Sequence, residues 1–162
     1  MLYKIAHILR DKLPWIWDVI GIINSFLFGL RYDGKMGQVQ NILTHFTKTT
    51  EEDGYVLFYK IEVLCKDNLS LLAKMFAEQP ASAFDFFKPH GFDELSLNKL
   101  AKDKSFLSYI VVVEGNAQQK VCVGYFFQRS FFWGKSFRGY MTDYRWQRRG
   151  INKMMNLCAT DI

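Results

Sequence analysis

Cysteine is scarce in this sequence and falls into no pattern. Cys65, Cys122 and Cys158 stand singly in apolar runs, and their odd number and spacing exclude a disulfide framework or a zinc knuckle. They are expected to be buried, reduced thiols, which suits a cytoplasmic setting. Histidine is equally sparse: His7, His45 and His90 lack metal-ligand spacing, so no metal site is expected. The glycines form neither G-x-x-x-x-G-K-[ST] nor a G-x-G-x-x-G opening a βαβ unit, which disfavours nucleoside triphosphate and dinucleotide sites. An uninterrupted apolar run of bilayer length is also missing. Residues 13–30 come nearest, but Asp18 and Asn24 break the run. No small-residue cleavage site follows, and Asp11 blurs the basic-then-apolar order of a signal peptide, so none is expected.

What is present is a core's worth of apolar and aromatic residues, 49% and 17% of the chain, enough for one domain with an appended segment. The net charge of +5 points towards an anionic partner: a phosphate-bearing cofactor, a membrane surface or nucleic acid.

Leu2, Ile5, Ala6, Leu9 and Leu13 fall at helical spacing, and Pro14 breaks or restarts that helix. A second helix, apolar on most faces, is expected over residues 15–30 and should end at the turn Arg31-Tyr32-Asp33-Gly34. Its apolar surface must be covered by the following domain, by a second copy or by lipid headgroups. Residues 38–46 read as a short helix and residues 47–54, TKTTEEDG, as a polar linker. This divides the chain into an N-terminal helical segment, 1–46, and a domain over 55–162.

Within that domain, residues 55–64 are rich in aromatic and branched side chains and read as a strand. A helix capped by Asp67 or Asn68 runs to about Glu78, and residues 81–87 are ambiguous. Asp93 caps another helix over 94–101. Residues 106–114 and 120–128 form a hairpin joined through 115–119, and residues 136–143 make a third consecutive antiparallel strand. Met154, Met155, Cys158 and Ile162 repeat at helical spacing after it. The order strand, helix, helix, strand, strand, strand, glycine turn, helix defines an α+β fold with a mostly antiparallel sheet.

The turn itself, YRWQRRGINKMM, sets Arg145, Arg148, Arg149 and Lys153 around Gly150, between a strand and a helix. A helix N-terminus presents unpaired N–H groups and a positive dipole end. Glycine lets the backbone approach a phosphate, and neighbouring arginines add charge-assisted hydrogen bonds. The bland alternative is a solvated basic turn with no ligand.

Gln147-Arg148-Arg149-Gly150-Ile151-Asn152 resembles the Q/R-x-x-G-x-G/A signature of the GCN5-related N-acetyltransferase (GNAT) family, with residues 142–146 similar to its usual lead-in. The resemblance covers roughly residues 55–162 and includes the element order. It implies the acyl-CoA N-acyltransferase fold, incomplete here, and an N-acetyltransferase that moves an acetyl group from acetyl-CoA to a primary amine. It also implies that Gln147, Arg148, Arg149, Gly150, Ile151 and Asn152 hold the cofactor's pyrophosphate. Asn152 stands where the family has Gly or Ala. Family members continue past this helix with further strands, so the chain is expected to be truncated, completed by a second copy that extends the sheet, or non-catalytic. Asp143, at the end of the last strand, is the candidate base, with a turn hydrogen bond as its alternative role. Residues 84–92, FDFFKPHGF, border the family's acceptor site, so His90 and the phenylalanines either contact substrate or pack as a hydrophobic loop.

The rival reading is a non-catalytic acyl-CoA-binding or membrane-surface assembly module. Its working surface would be residues 1–30, peripheral to the inner face of a membrane. Nucleic acid is not an expected partner, because the cations cluster at one turn and not along a groove with interleaved aromatics.

Overall fold

The computed structural model of the chain describes residues 14–52, 54–115 and 119–162. The helix expected within residues 1–12 and the centre of the hairpin connection, 116–118, lie outside them. The described elements are α1 (Pro14–His45), β1 (Thr47–Glu52), β2 (Tyr55–Val63), α2 (Leu69–Ala77), α3 (Glu94–Lys102), β3 (Phe106–Glu114), β4 (Lys120–Ser130), β5 (Ser136–Thr142) and α4 (Ile151–Asp161). The five strands pair antiparallel in chain order, β1-β2-β3-β4-β5, and the sheet curls into a half-barrel. The structure is therefore α+β with an antiparallel sheet between helices.

Strand alternation divides the core into two layers. Tyr109, Val111 and Val113 of β3 face α1 and α4, where they meet Val39, Leu43, Ile151 and Met155. Ile110 and Val112 face the opposite side, against Leu72 and Phe76 of α2 and Leu97 of α3. Each fully buried Val, Leu, Ile, Phe or Met among them contributes about 1.5–3 kcal/mol through removal of apolar surface from water.

The expected helices and strands from residue 55 onward are present, with ends shifted by a residue or two. Residues 81–87 resolve into a single 3-10 turn, Ala81–Phe84. Asp93 caps α3 as expected, accepting the Ser96 N–H at 2.9 Å. Asn68 flanks the start of α2 but makes no cap bond. Its amide accepts the Cys65 N–H at 2.9 Å and donates to the Val63 carbonyl at 3.0 Å, closing the turn that leaves β2. Cys122 and Cys158 are buried thiols, whereas Cys65, on this turn, is exposed and not buried as its sequence context suggested.

Two expectations for the N-terminal part need correction. The turn expected at residues 31–34 does not break the helix: α1 runs unbroken for 32 residues. Phe28, Tyr32, Met36, Val39 and Leu43 form one stripe at helical spacing, with Phe28 and Tyr32 rings 4.7 Å apart and Val39 and Leu43 buried in the core. That burial outweighs the cost of about 1 kcal/mol for each helical glycine at Gly34 and Gly37. Residues 47–52, read as linker, form β1, which pairs with β2 from Thr47 against Lys60 to Glu52 against Tyr55. Its side chains are polar because it is an edge strand with water on one side.

A bulge in β4 seats the last helix. The β3–β4 register shifts between Val111 and Val112, leaving Val123 as the extra residue. Val123 then joins the α1–α4 layer, and a Cβ on Gly124 would lie 3.0 Å from the Ile151 Cγ2 and 3.1 Å from the Met155 Sδ. Glycine at 124 is what allows α4 to sit this close to the sheet, and so fixes where the N-terminus of α4 begins.

Among the described residues, no helix is long and apolar enough to cross a membrane.

Candidate functional site

Between β5 and α4 the chain makes one 3-10 turn, Tyr144–Trp146, and then passes through Gln147, Arg148, Arg149 and Gly150. Arg148 and Gly150 both have left-handed backbone, with φ of 62° and 79°. Such a conformation is free for glycine and costs an ordinary side chain about 1–2 kcal/mol. The strain at Arg148 marks a turn whose shape is held by its surroundings.

Asp143 holds the start of that turn. It is fully buried, and its carboxylate accepts the Arg145 N–H at 2.8 Å, the Arg145 Nε–H at 3.0 Å and the Arg145 Nη2–H at 2.6 Å. The same guanidinium reaches Glu78 at the end of α2, also at 2.6 Å. Burial pushes the Asp143 carboxyl up, but the hydrogen bonds and charge of Arg145 outweigh it and leave the group below the usual aspartate range. Gln79 adds a brace by accepting the Tyr144 N–H at 3.0 Å.

Two further ties run to β1. Lys48 donates from Nζ to the Arg149 carbonyl at 2.7 Å, and the Arg149 guanidinium pairs with Glu52 while lying 4.6 Å over the Trp146 ring. Four cations that look like one cluster in the sequence are thus divided. Arg145 and Arg149 hold the turn in place through carboxylates, whereas Arg148 and Lys153 line an open cleft of about 460 Å³ at the N-terminus of α4. Among the described residues, Arg148 has no carboxylate partner.

The cleft's donors are backbone groups. Gly150 flanks α4 without any side-chain cap, and the first helical bond is made by the Met154 N–H to the Gly150 carbonyl. Among the described residues, nothing accepts from the N–H groups of Ile151, Asn152 and Lys153. Asn152 turns its side-chain oxygen to Asn156 at 2.9 Å, which leaves its amide N–H groups available to donate.

The wall opposite is β5, the last strand of the sheet, with Tyr140 and Thr142 facing the cleft. Ser130 at the end of β4 sends its N–H to Ser105, on the β3 side, and Asp143 sends its own to Val123 on β4. Antiparallel alternation therefore directs the N–H and C=O groups of Arg138, Tyr140 and Thr142 outward, onto the open edge of the sheet. Neither Tyr140 nor Thr142 was assignable from sequence, because strand face and edge are set by pairing. Their only signal was the position just before the glycine turn.

His90, the other candidate side chain, sits on the α2–α3 side of the sheet. Its Nδ1 faces the Gly91 carbonyl at 2.7 Å and must donate, so Nε2 accepts the Tyr125 O–H at 2.8 Å. The rings of Phe76, Phe92, Phe106 and Phe127 surround it. Burial holds its pKa below the ordinary 6.5, partly offset by the Gly91 carbonyl. A neutral His90 therefore contributes stability that is fully present above pH about 6.5 and is lost as pH falls from there towards the lowered native value. Urea unfolding midpoints should drop for the native chain between pH 7.5 and 5.5, and should change less in His90→Phe. Equal pH slopes in the two would show that His90 carries no such linkage.

Compared with family models, with curated proteins and with solved structures, the chain matches none.

Proposed function

We propose that the chain is a GNAT-type N-acetyltransferase domain that binds acetyl-CoA at the turn between β5 and α4. The observation that carries this reading is the conjunction at one cleft of three N–H groups opening α4 that are unpaired among the described residues, a left-handed glycine that brings them forward, and the cations Arg148 and Lys153. A pyrophosphate needs this donor set, and the residues present fit it. Bound there, acetyl-CoA would supply an activated thioester.

In this reading Ile151, Asn152 and Lys153 donate backbone N–H groups to the phosphates, and Arg148 and Lys153 add charge. The outward N–H groups of Tyr140 and Thr142 can polarise a carbonyl laid along the β5 edge, so that an amine attacks it directly. Asp143 is the positioning residue of this site. Both of its oxygens are engaged by Arg145, and its lowered pKa makes it a weak acceptor for an ammonium proton.

That engagement also favours a second reading, a non-catalytic acyl-CoA-binding module. Titration calorimetry with acetyl-CoA tests the shared site: saturable binding is expected, weakened about tenfold in Arg148→Ala, or about 1.4 kcal/mol. No heat of binding in the native chain would overturn both readings. Release of free thiol from acetyl-CoA in the presence of a panel of primary amines then separates them, since the binding module gives none.

A further inference from the structure

The exposed face of α1 is apolar and self-complementary. Trp15, Ile22, Phe26 and Leu30 are 63%, 69%, 65% and 72% exposed, and Val19 and Ile23 lie between them on the same stripe. Ile20, the other exposed apolar residue of this stretch, falls off its edge. The helix cannot roll to hide these side chains. Asn24, buried on the opposite face, donates to the Ser130 carbonyl at 3.0 Å and accepts the Phe132 N–H at 3.1 Å, and Ser25 accepts the Lys104 N–H at 3.0 Å.

We infer that α1 pairs with α1 of a second copy of this chain, antiparallel, about a two-fold axis between Ile22 and Ile23. Read from either end, the stripe at 15, 19, 22, 23, 26 and 30 has the same spacing. An antiparallel copy therefore sets Trp15 against Leu30, Val19 against Phe26 and Ile22 against Ile23, three pairings that the two-fold axis repeats to make six contacts. Such reciprocity is what a two-fold interface requires of a surface. The steps of four and three residues along Trp15, Val19, Ile22 and Phe26 are those of a seam in which side chains of one helix fit between those of another.

Area is sufficient as well. At roughly 150–250 Å² for the two aromatic side chains and the low end of that range for Val, Ile and Leu, the stripe offers about 550–700 Å² per copy. Pairing two copies covers at most about 1,100–1,400 Å², which reaches the lower part of the range of roughly 1,200–2,000 Å² for stable protein interfaces. Charge argues for protein over an anionic lipid surface. Residues 15–30 contain no Lys or Arg and one acid, Asp18, whereas a helix lying on such a surface flanks its apolar face with cations. The proposal rests on none of the observations made at the acetyl-CoA site.

Sedimentation equilibrium of the full chain tests it. A dimer is expected, and Ile22→Glu, which would set two carboxylates beside the axis, should reduce the mass to that of a monomer. The exposed α3 variant Leu95→Glu should leave the dimer intact. Register is read in a Cys65→Ser background: Val19→Cys and Phe26→Cys together should crosslink two chains under oxidation, and neither should alone. Phe26→Ser serves as a second dissociating variant if Ile22→Glu does not fold. A monomeric native chain, a dimer that survives both substitutions, or crosslinking by Val19→Cys alone would overturn the proposal. So would vesicle binding through Ile22 and Phe26 without self-association.

Discussion

Gly150→Val should reduce acetyl-CoA affinity at least about 100-fold, or about 2.7 kcal/mol, while the protein remains folded. The backbone at 150 has φ of 79°, and for a β-branched residue that region is a steric outlier. The native conformation would cost the variant about 1–3 kcal/mol. The chain can relieve this by rotating φ to a negative value, but the rotation turns the peptide planes that open α4. The N–H groups of Ile151 and Asn152 would then no longer converge on one anion. Space is not the difficulty, because a Cβ at 150 would meet only the Lys48 Nζ at 3.7 Å. Gly150→Ala should therefore lie between the two, losing affinity through strain alone. Calorimetric titration checks the binding, and urea denaturation checks that the fold has survived. Native affinity in Gly150→Val would remove the turn as the cofactor's anchor.

Arg145→Met should be the most destabilising change at the site, by about 3 kcal/mol, because it strands the buried Asp143 carboxylate without its partner. Removing Arg149 in the same way should cost about 0–1 kcal/mol, since Glu52, its partner, is part-exposed and regains water. The sign of the pH response should also invert. In the native chain Asp143 lies below its ordinary 3.8, so its contribution is present above that pH and is lost as pH falls through the lowered native value. With Arg145 gone, burial is the larger influence and raises the carboxyl, so the variant recovers stability as acid protonates it. Asp143→Asn combined with Arg145→Met should regain part of the loss, as expected for a coupled pair. Urea midpoints at pH 7 and at pH 3, below the ordinary aspartate value, measure all three effects. Equal costs for Arg145→Met and Arg149→Met would contradict the account of Asp143 as a buried holding group.

The sheet from residue 55 onward was legible because its strands are apolar, branched and separated by turn residues, and because each pairs with its neighbour in sequence. β1 was not, since TKTTEE has no apolar period to read. The dipeptide Asp53-Gly54 between it and β2 was the available hairpin signal. The continuity of α1 was hidden by Gly34 and Gly37, although the stripe from Phe28 to Leu43 runs across both. At the site, Gly150 and the helix after it could be read locally. The sorting of the cations could be read only in part: Arg145 is committed first by Asp143, two residues before it, but Arg149 is committed by Glu52, 97 positions away. Arg148 and Arg149 look alike in a sequence, and only a long-range carboxylate distinguishes the one that braces from the one left facing the cleft.

Those same ties to β1 set the order in which the protein acquires its site. A meander of neighbouring strands closes short loops and can form early, whereas the contacts of Lys48 and Glu52 with Arg149 join positions about a hundred residues apart and can form only once the strands between them have paired. The turn between β5 and α4 is therefore completed late, when Arg149 meets Lys48 and Glu52 on β1. Until Arg149 has been made, Lys48 and Glu52 on β1 lack the partner that ties them to this turn, and the candidate site is assembled only after the strand that braces it.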